Sequence, residues 1–152
     1  MRPQQIARLV LLAGVVFNTY GCGSSNPAAP DVSGVVTLDD TPLPGAVVRL
    51  LPNDPQSRAA TVKTNESGMF IIEPHPTTGE TLSPGTYKIV ISKVVDQQGN
   101  AIEDEDVDQL KAAGMARETL PGKYSRPDMT ELKAEIKIDE PNELMFPLSG
   151  AG

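Results

Sequence analysis

From residue 32 to residue 148 the chain alternates apolar and polar positions in short runs, each bounded by Gly, Pro, Asn or Asp. That is the period-two signature of half-buried strands separated by tight turns. Val32, Val36 and Leu38 share one face of a first strand, with Thr37 on the other. Ala46, Val48 and Leu50 point one way, Val47 and Arg49 the other. A third strand is predicted near residues 60–64 with Lys63 outward, and Phe70 and Ile72 continue the inner face beyond the turn Asn65-Glu66-Ser67-Gly68. Tyr87, Ile89 and Ile91 alternate with Lys88 and Ser92 after Pro84-Gly85. The clearest run is Leu132, Ala134, Ile136 and Ile138 set against Lys133, Glu135 and Lys137, all four apolar residues being expected on the core side. Val36, Val48, Ile89 and Phe146 are expected beside or across from them. Leu144, Phe146 and Leu148 close the domain. Pro147 has no N–H to give to a ladder, which places the last strand at a sheet edge or ends it there. The pattern predicts an all-β domain, a β-sandwich of about seven strands.

The exception is the connection 94–130. Its acids come first (Glu103, Asp104, Glu105, Asp106) and its cations later (Lys111, Arg117), the order that complements a helix dipole. Val107, Leu110 and Gly114 share a thin helical face, so one short helix is expected around residues 106–116. Connections of this length are functional or mobile, and few apolar residues here offset the cost of ordering. The insertion is therefore expected to be the most mobile part of the domain, with Asp104, Asp106, Asp108 and Tyr124 as candidate partner contacts. A calcium loop beginning at Asp104 fails at its sixth position, Gln109, and its twelfth, Met115, where Gly and a bidentate Glu are needed.

Residues 1–31 set the expected location. Arg2 and Arg8 flank the apolar run 6–17, which is short for a membrane span and reads as the core of a secretory signal. Thr19-Tyr20-Gly21-Cys22 resembles a bacterial lipobox, with Thr19 where Leu is usual. The resemblance implies that residues 1–21 are removed and that Cys22, the single cysteine, carries lipid. Residues 22–31, small and proline-bearing, suit a tether, and residues 149–152 a flexible end. Losing Arg2 and Arg8 with the leader takes the net charge from −7 to −9. An acidic surface argues against nucleic acid and against docking on anionic lipid, both of which need clustered cations. No intrachain disulfide is available, and since Phe70, Tyr87, Tyr124 and Phe146 are the aromatics left after cleavage, Tyr124 in a loop, the core must be built mostly from Val, Ile and Leu.

Val32-Ser33-Gly34-Val35-Val36, Pro42-Leu43-Pro44-Gly45-Ala46-Val47-Val48, Thr64-Asn65-Glu66-Ser67-Gly68-Met69-Phe70 and Pro84-Gly85-Thr86-Tyr87 form a recognisable series. It resembles the carboxypeptidase regulatory-like family, with Asp40 and Thr41 where that family usually has small turn residues. Leu120-Pro121-Gly122-Lys123-Tyr124 and Asn142-Glu143-Leu144 resemble the tail of bacterial lipoproteins that carry this domain. The resemblance spans residues 32–148 and implies a seven-stranded antiparallel Greek-key sandwich of transthyretin-like form, also grouped with carbohydrate-binding-like folds. It is nearly silent on activity, because such modules serve many contexts.

Candidate chemistry is sparse. His75, the single histidine, lies between Pro74 and Pro76 and offers one ligand where zinc needs three or four. There is no G-x-S-x-G elbow, and Ser33, Ser67 and Ser149 read as strand or turn residues. Transthyretin-related hydrolases use several histidines and a Tyr-Arg-Gly-Ser-like C-terminus, whereas this chain ends Pro147-Leu148-Ser149-Gly150-Ala151-Gly152. The sequon Asn65-Glu66-Ser67 carries little meaning in the bacterial host that the lipobox resemblance implies. The expectation is a non-catalytic, monomeric envelope lipoprotein without cofactor or metal. It would be anchored to a membrane by lipid and would bind a glycan or an envelope protein, or serve a purely structural role. Glycan binding lacks the usual stacking platform, since no Trp is present. Two or more acyl chains at about 0.8 kcal/mol per buried CH₂ anchor a protein stably. Wild-type chain should therefore incorporate labelled palmitate, and Cys22→Ser should incorporate none and leave the membrane fraction. Equal labelling of the two would refute the assignment of Cys22.

Overall fold

The computed structural model describes residues 32–79, 81–102, 107–138 and 140–150. Cys22, Asp104 and Asp106 lie outside the described residues. The described chain is mostly β, arranged as β1 (Val32–Leu38), β2 (Thr41–Pro42), β3 (Val47–Pro52), β4 (Ala60–Lys63), β5 (Met69–Ile72), β6 (Gly85–Ser92), β7 (Val94–Asp96), α1 (Val107–Ala112), β8 (Ala116–Glu118), α2 (Gly122–Ser125), β9 (Lys133–Ile136) and β10 (Asn142–Leu148). The runs read from the alternation correspond to β1, β3, β4, β5, β6, β9 and β10; β2, β7 and β8 are additional.

Two four-stranded sheets carry the core. In the first, β1 pairs with β10 along one side and with β5 and β2 along the other. In the second the order is β4-β3-β6-β9. Val32, Val36, Phe70 and Phe146 of the first sheet belong to one buried cluster with Val48, Leu50, Ile89 and Ile136 of the second. Among the described residues β10 pairs only with β1, as suits an edge strand carrying Pro147. Its pairing, however, is parallel, Val32 to Leu38 against Asn142 to Leu148, so the expected antiparallel arrangement fails at this pair. Parallel neighbours need a long crossover, and here almost the whole domain separates β1 from β10.

Gly34 faces inward between Phe70 and Leu144. A Cβ there would lie 2.5 Å from Phe70 Cζ and 2.7 Å from the Leu144 carbonyl oxygen. The absent side chain makes room for Phe70, whose ring stacks on Phe146 with centroids 6.3 Å apart. The turn between β1 and β2 holds Asp39 and Asp40 at φ 48° and 63°. Two residues in that region match the strand twist of a tight hairpin, so Asp40 fills a turn position where a small residue was expected, while Thr41 opens β2.

The chain passes from the second sheet to the first twice, and each passage holds a buried polar side chain. After β4, Thr64 Oγ1 donates to the Leu43 carbonyl at 2.7 Å and accepts from the Ala46 N–H at 2.9 Å. After β9, Asn142 Oδ1 accepts from the Lys137 N–H at 2.8 Å while its Nδ2 donates to the Lys137 and Glu140 carbonyls. That turn ends β9 at Ile136 and leaves Ile138 48% exposed, which corrects its assignment to the core. Leu132 is half-buried, whereas Ala134 and Ile136 are buried.

The described part of connection 94–130 carries two strands and a second helix besides the one expected. β7 and β8 form an antiparallel hairpin with α1 between them, shorter than the helix expected, and α2 lies against β6. Val90 is fully buried although alternation turns it away from Ile89 and Ile91. The outer face of β6 is therefore covered by this connection.

Two glycines with left-handed backbone test the packing. Gly68 (φ 71°) would bring a Cβ to 2.5 Å from the Val36 carbonyl oxygen, whereas Gly79 (φ 68°) faces open space. Gly79→Ala should cost about 1 kcal/mol in backbone strain alone. Gly68→Ala should cost at least about 2 kcal/mol more, because backbone must also move. Urea unfolding midpoints that fall equally for the two variants would contradict this.

Candidate functional site

The second sheet turns Val47 and Arg49 of β3 outward, together with Thr61 of β4 and Ser92 of β6. Register places them side by side: Arg49 opposite Thr61, and Val47 opposite Ser92. Over this floor stand Val94 and Ile102 from the start of the connection, and Val107 and Asp108 from α1. Floor and roof enclose a cleft of about 350 Å³, at the lower end of the range of small-molecule sites, about 300–1,000 Å³. Among the described residues its lining combines one cation, one anion, two hydroxyls and apolar side chains.

The roof is set by the way the connection leaves and rejoins the sheet. Glu118 Oε1 accepts from three backbone N–H groups, those of Lys93 (2.8 Å), Thr119 (3.1 Å) and Leu120 (3.1 Å). Its other oxygen lies 3.8 Å from Lys111 Nζ on the connection. Thr119 closes the same root by donating both N–H and hydroxyl to the Lys93 carbonyl. At the far end Asp96 Oδ1 accepts from the Gln98 and Asn100 N–H groups, and Oδ2 from the Asn100 side chain. These bonds, the Asn100 side chain first, hold the Asp96 carboxyl below the usual carboxylate range.

Of the candidate contact residues, Asp108 lines the cleft, and Tyr124 does not. Tyr124 packs against the core from α2, and its hydroxyl accepts from the Ser149 N–H at 3.2 Å. Lys123 Nζ stands 5.1 Å from its ring centre. Its position is that of an anchor between α2 and the end of β10. Asp128, beside α2, has its carboxyl lowered by the Arg126 guanidinium, which meets it at 2.7 Å. Arg49, Thr61 and Ser92 escaped sequence reading because each is an ordinary outward residue of its strand. The one available signal was that Arg49 interrupts an otherwise apolar run in residues 46–51.

His75 Nδ1 accepts from the N–H groups of Thr77 and Thr78, so the ring is engaged in its own turn. Among the described residues no group of three or more His, Cys, Asp or Glu is placed to hold a metal ion. Buried Tyr87 donates its hydroxyl to the Ser83 carbonyl at 2.9 Å, and burial raises its pKa.

The Asp96 geometry carries a pH dependence. A carboxyl depressed in the folded state stabilises it above the unfolded carboxylate value, near 3.9, and this contribution is lost as pH falls through the lower folded value. The protection factors of the Gln98 and Asn100 amides, measured against the intrinsic slowing of exchange in acid, should therefore fall below about pH 4. In Asp96→Ala the same amides should exchange fast at neutral pH. Protection that is equal in the two proteins at neutral pH, or unchanged in the wild type through that range, would contradict the role given to Asp96.

No protein-family model, curated protein or solved structure matches this chain.

Proposed function

We propose that this protein is a non-catalytic binding module of a bacterial envelope, tethered outside the cytoplasm through lipid on Cys22. Its β-sheets are read as a seven-stranded Greek-key sandwich of the carboxypeptidase regulatory-like, transthyretin-like kind, extended by the 94–130 connection. Two four-stranded sheets around one core support that reading of the fold. The observation that carries the functional reading is the cleft between the outer face of the second sheet and the connection. A sandwich that served only as a spacer would gain nothing from a roofed recess lined by Arg49, Asp108, Thr61 and Ser92. The ligand is a glycan fragment, another envelope solute or part of an envelope protein.

A second reading, a structural envelope protein, has its own support on the opposite side. Met145, Val35 and Met69 stand in one row across β10, β1 and β5, with Ile71 beside them, and Met145 is 80% exposed. Exposed apolar rows of this kind mark contact surfaces.

Removal of the roof separates the two readings. Residues 98–114 can be replaced by Asn-Gly, which suits a two-residue hairpin turn. The variant should keep its far-UV spectrum and lose recovery of ligand from glycan arrays and from cross-linked envelope extracts. Full recovery by the variant would refute the cleft as the site, and loss only on Met145→Glu would favour the structural reading.

A further inference from the structure

The two sheets differ sharply in charge. The four strands of the first carry a single charged residue, Glu143, whereas those of the second carry Arg49, Lys63, Lys88, Lys133 and Glu135. Alternation fixes which side chains of the first sheet look outward. Val32, Val36, Phe70, Phe146 and Leu148 are buried in the core, so the residues between them on each strand lie on the other side. Register sets these outward residues in rows. Val35 lies between Met145 and Met69, Ser33 between Glu143 and Ile71, and Thr37 between Pro147 and Pro42. Neighbouring strands stand about 4.8 Å apart, so each row is about 10 Å across. Met145 is 80% exposed, Ile71 64% and Met69 45%. An open β-face normally turns polar residues to water. This one turns out thioethers, isoleucine and proline, the kind of patch that marks a protein or membrane contact.

The chain itself brings a membrane to this face. It enters the domain through β1, the central strand of the first sheet, so the tether 22–31 joins the very strand that holds Val35. Ten residues reach at most about 35 Å, so lipid on Cys22 keeps the domain within about its own width of the bilayer. A contact made within such a tether works at an effective concentration in the millimolar range, and even weak apolar burial then populates it. The contact is apolar rather than electrostatic. These strands offer no cation to anionic headgroups, in a chain whose net charge is −7. Nor does the face carry the pattern of donors, acceptors and charges that would select one protein surface. Flexible methionine side chains suit a fluid partner. We propose that the outer face of the first sheet lies on the bilayer that holds the lipid of Cys22. Met145, Val35, Met69 and Ile71 enter the boundary between headgroups and acyl chains, and the second sheet with its cleft is turned to the aqueous side. This rests on the lipid anchor proposed above and adds the orientation of the cleft relative to the membrane.

The wild-type chain carries its own reporters. Met145 and Met69 lie on the proposed contact face. Met115 (53% exposed) belongs to the connection, and Met129 (48% exposed) follows α2, which packs on β6 of the second sheet. Peroxymonosulfate, an anionic oxidant that stays in water, converts exposed methionine to its sulfoxide, and peptide mass spectrometry reads the rate at each site. The chain is purified from membranes and reconstituted into phosphatidylcholine vesicles, and Cys22→Ser is mixed with the same vesicles as the unanchored control. In the control all four methionines should react at rates that follow their exposure. In the anchored chain Met145 and Met69 should slow about tenfold relative to Met115 and Met129, as for a face docked about nine-tenths of the time. Met145→Glu should remain with the vesicles and return Met69 to the rate of Met115. Equal rate ratios in the anchored chain and the control would overturn the proposal. So would protection seen in native envelope membranes and missing in pure lipid, which would assign the face to a protein partner. Protection that rises with protein density together with cross-linked dimers would assign it to a second copy and likewise overturn the proposal. If the wild-type chain does not float with the vesicles, the lipid-anchor reading falls and the orientation with it. If it floats and the ratios stay equal, the anchor stands and the orientation alone falls.

Discussion

The packing of Phe70 over Gly34 is the constraint on which the first sheet depends. β1 is its central strand, bonded to β10 on one side and to β5 and β2 on the other. The Phe70 ring reaches across it to stack on Phe146 from the opposite neighbour. The ring occupies the volume that any larger residue at position 34 would claim. Since interiors pack at crystal-like density, a side chain there would displace Phe70, and with it the contact that joins β5 to β10. The parallel pairing of β1 with β10 brings the last strand of the domain beside the first, so this contact also ties the ends of the fold together.

The second sheet is joined to the first at places where the backbone leaves its ladders. Those groups lose sheet partners inside the protein, and an unpaired buried group costs about 1–3 kcal/mol. The buried polar residues Thr64 and Asn142 sit at these passages, and Thr130 where the connection rejoins β6 beside β9. Thr64 holds the Leu43–Ala46 segment, Asn142 closes the turn from β9, and Thr130 donates its hydroxyl to the Ile89 carbonyl at 2.8 Å. Among the described residues no buried side-chain polar atom is left unpaired.

The candidate site is a consequence of what covers the outer face of the second sheet. An open β-face normally presents polar residues to water, and Thr61, Arg49 and Ser92 fit that role. The 94–130 connection folds back over them, anchored by Glu118 at its root and by α2 against β6. What would be solvent-facing strand residues become the floor of a recess. One acid of the connection thereby gains a place: Asp108 lines the cleft from α1.

Much of this was legible in the chain. Period-two alternation identified the core faces of β1, β3, β6 and β9, because half-burial imposes the same period on any strand. Asn65 and Gly68 announced their turn, since Asn65 Oδ1 receives the Ser67 and Met69 N–H groups and Gly68 takes a backbone angle closed to larger residues. Pro147 marked an edge because a missing N–H is a local fact. Alternation could not show where β9 stops, and Ile138 was lost to solvent because Asn142, several residues later, ends the strand. Nor could it show the order of strands, the parallel join of β1 to β10, or the roofed cleft. Those depend on how residues far apart in sequence, such as Arg49 and Asp108, come to line one recess. The chain by itself determined which side of each strand is apolar, because that is written in neighbouring residues. Tertiary structure alone decided which polar sides meet, because that depends on how the sheets and the connection close over one another.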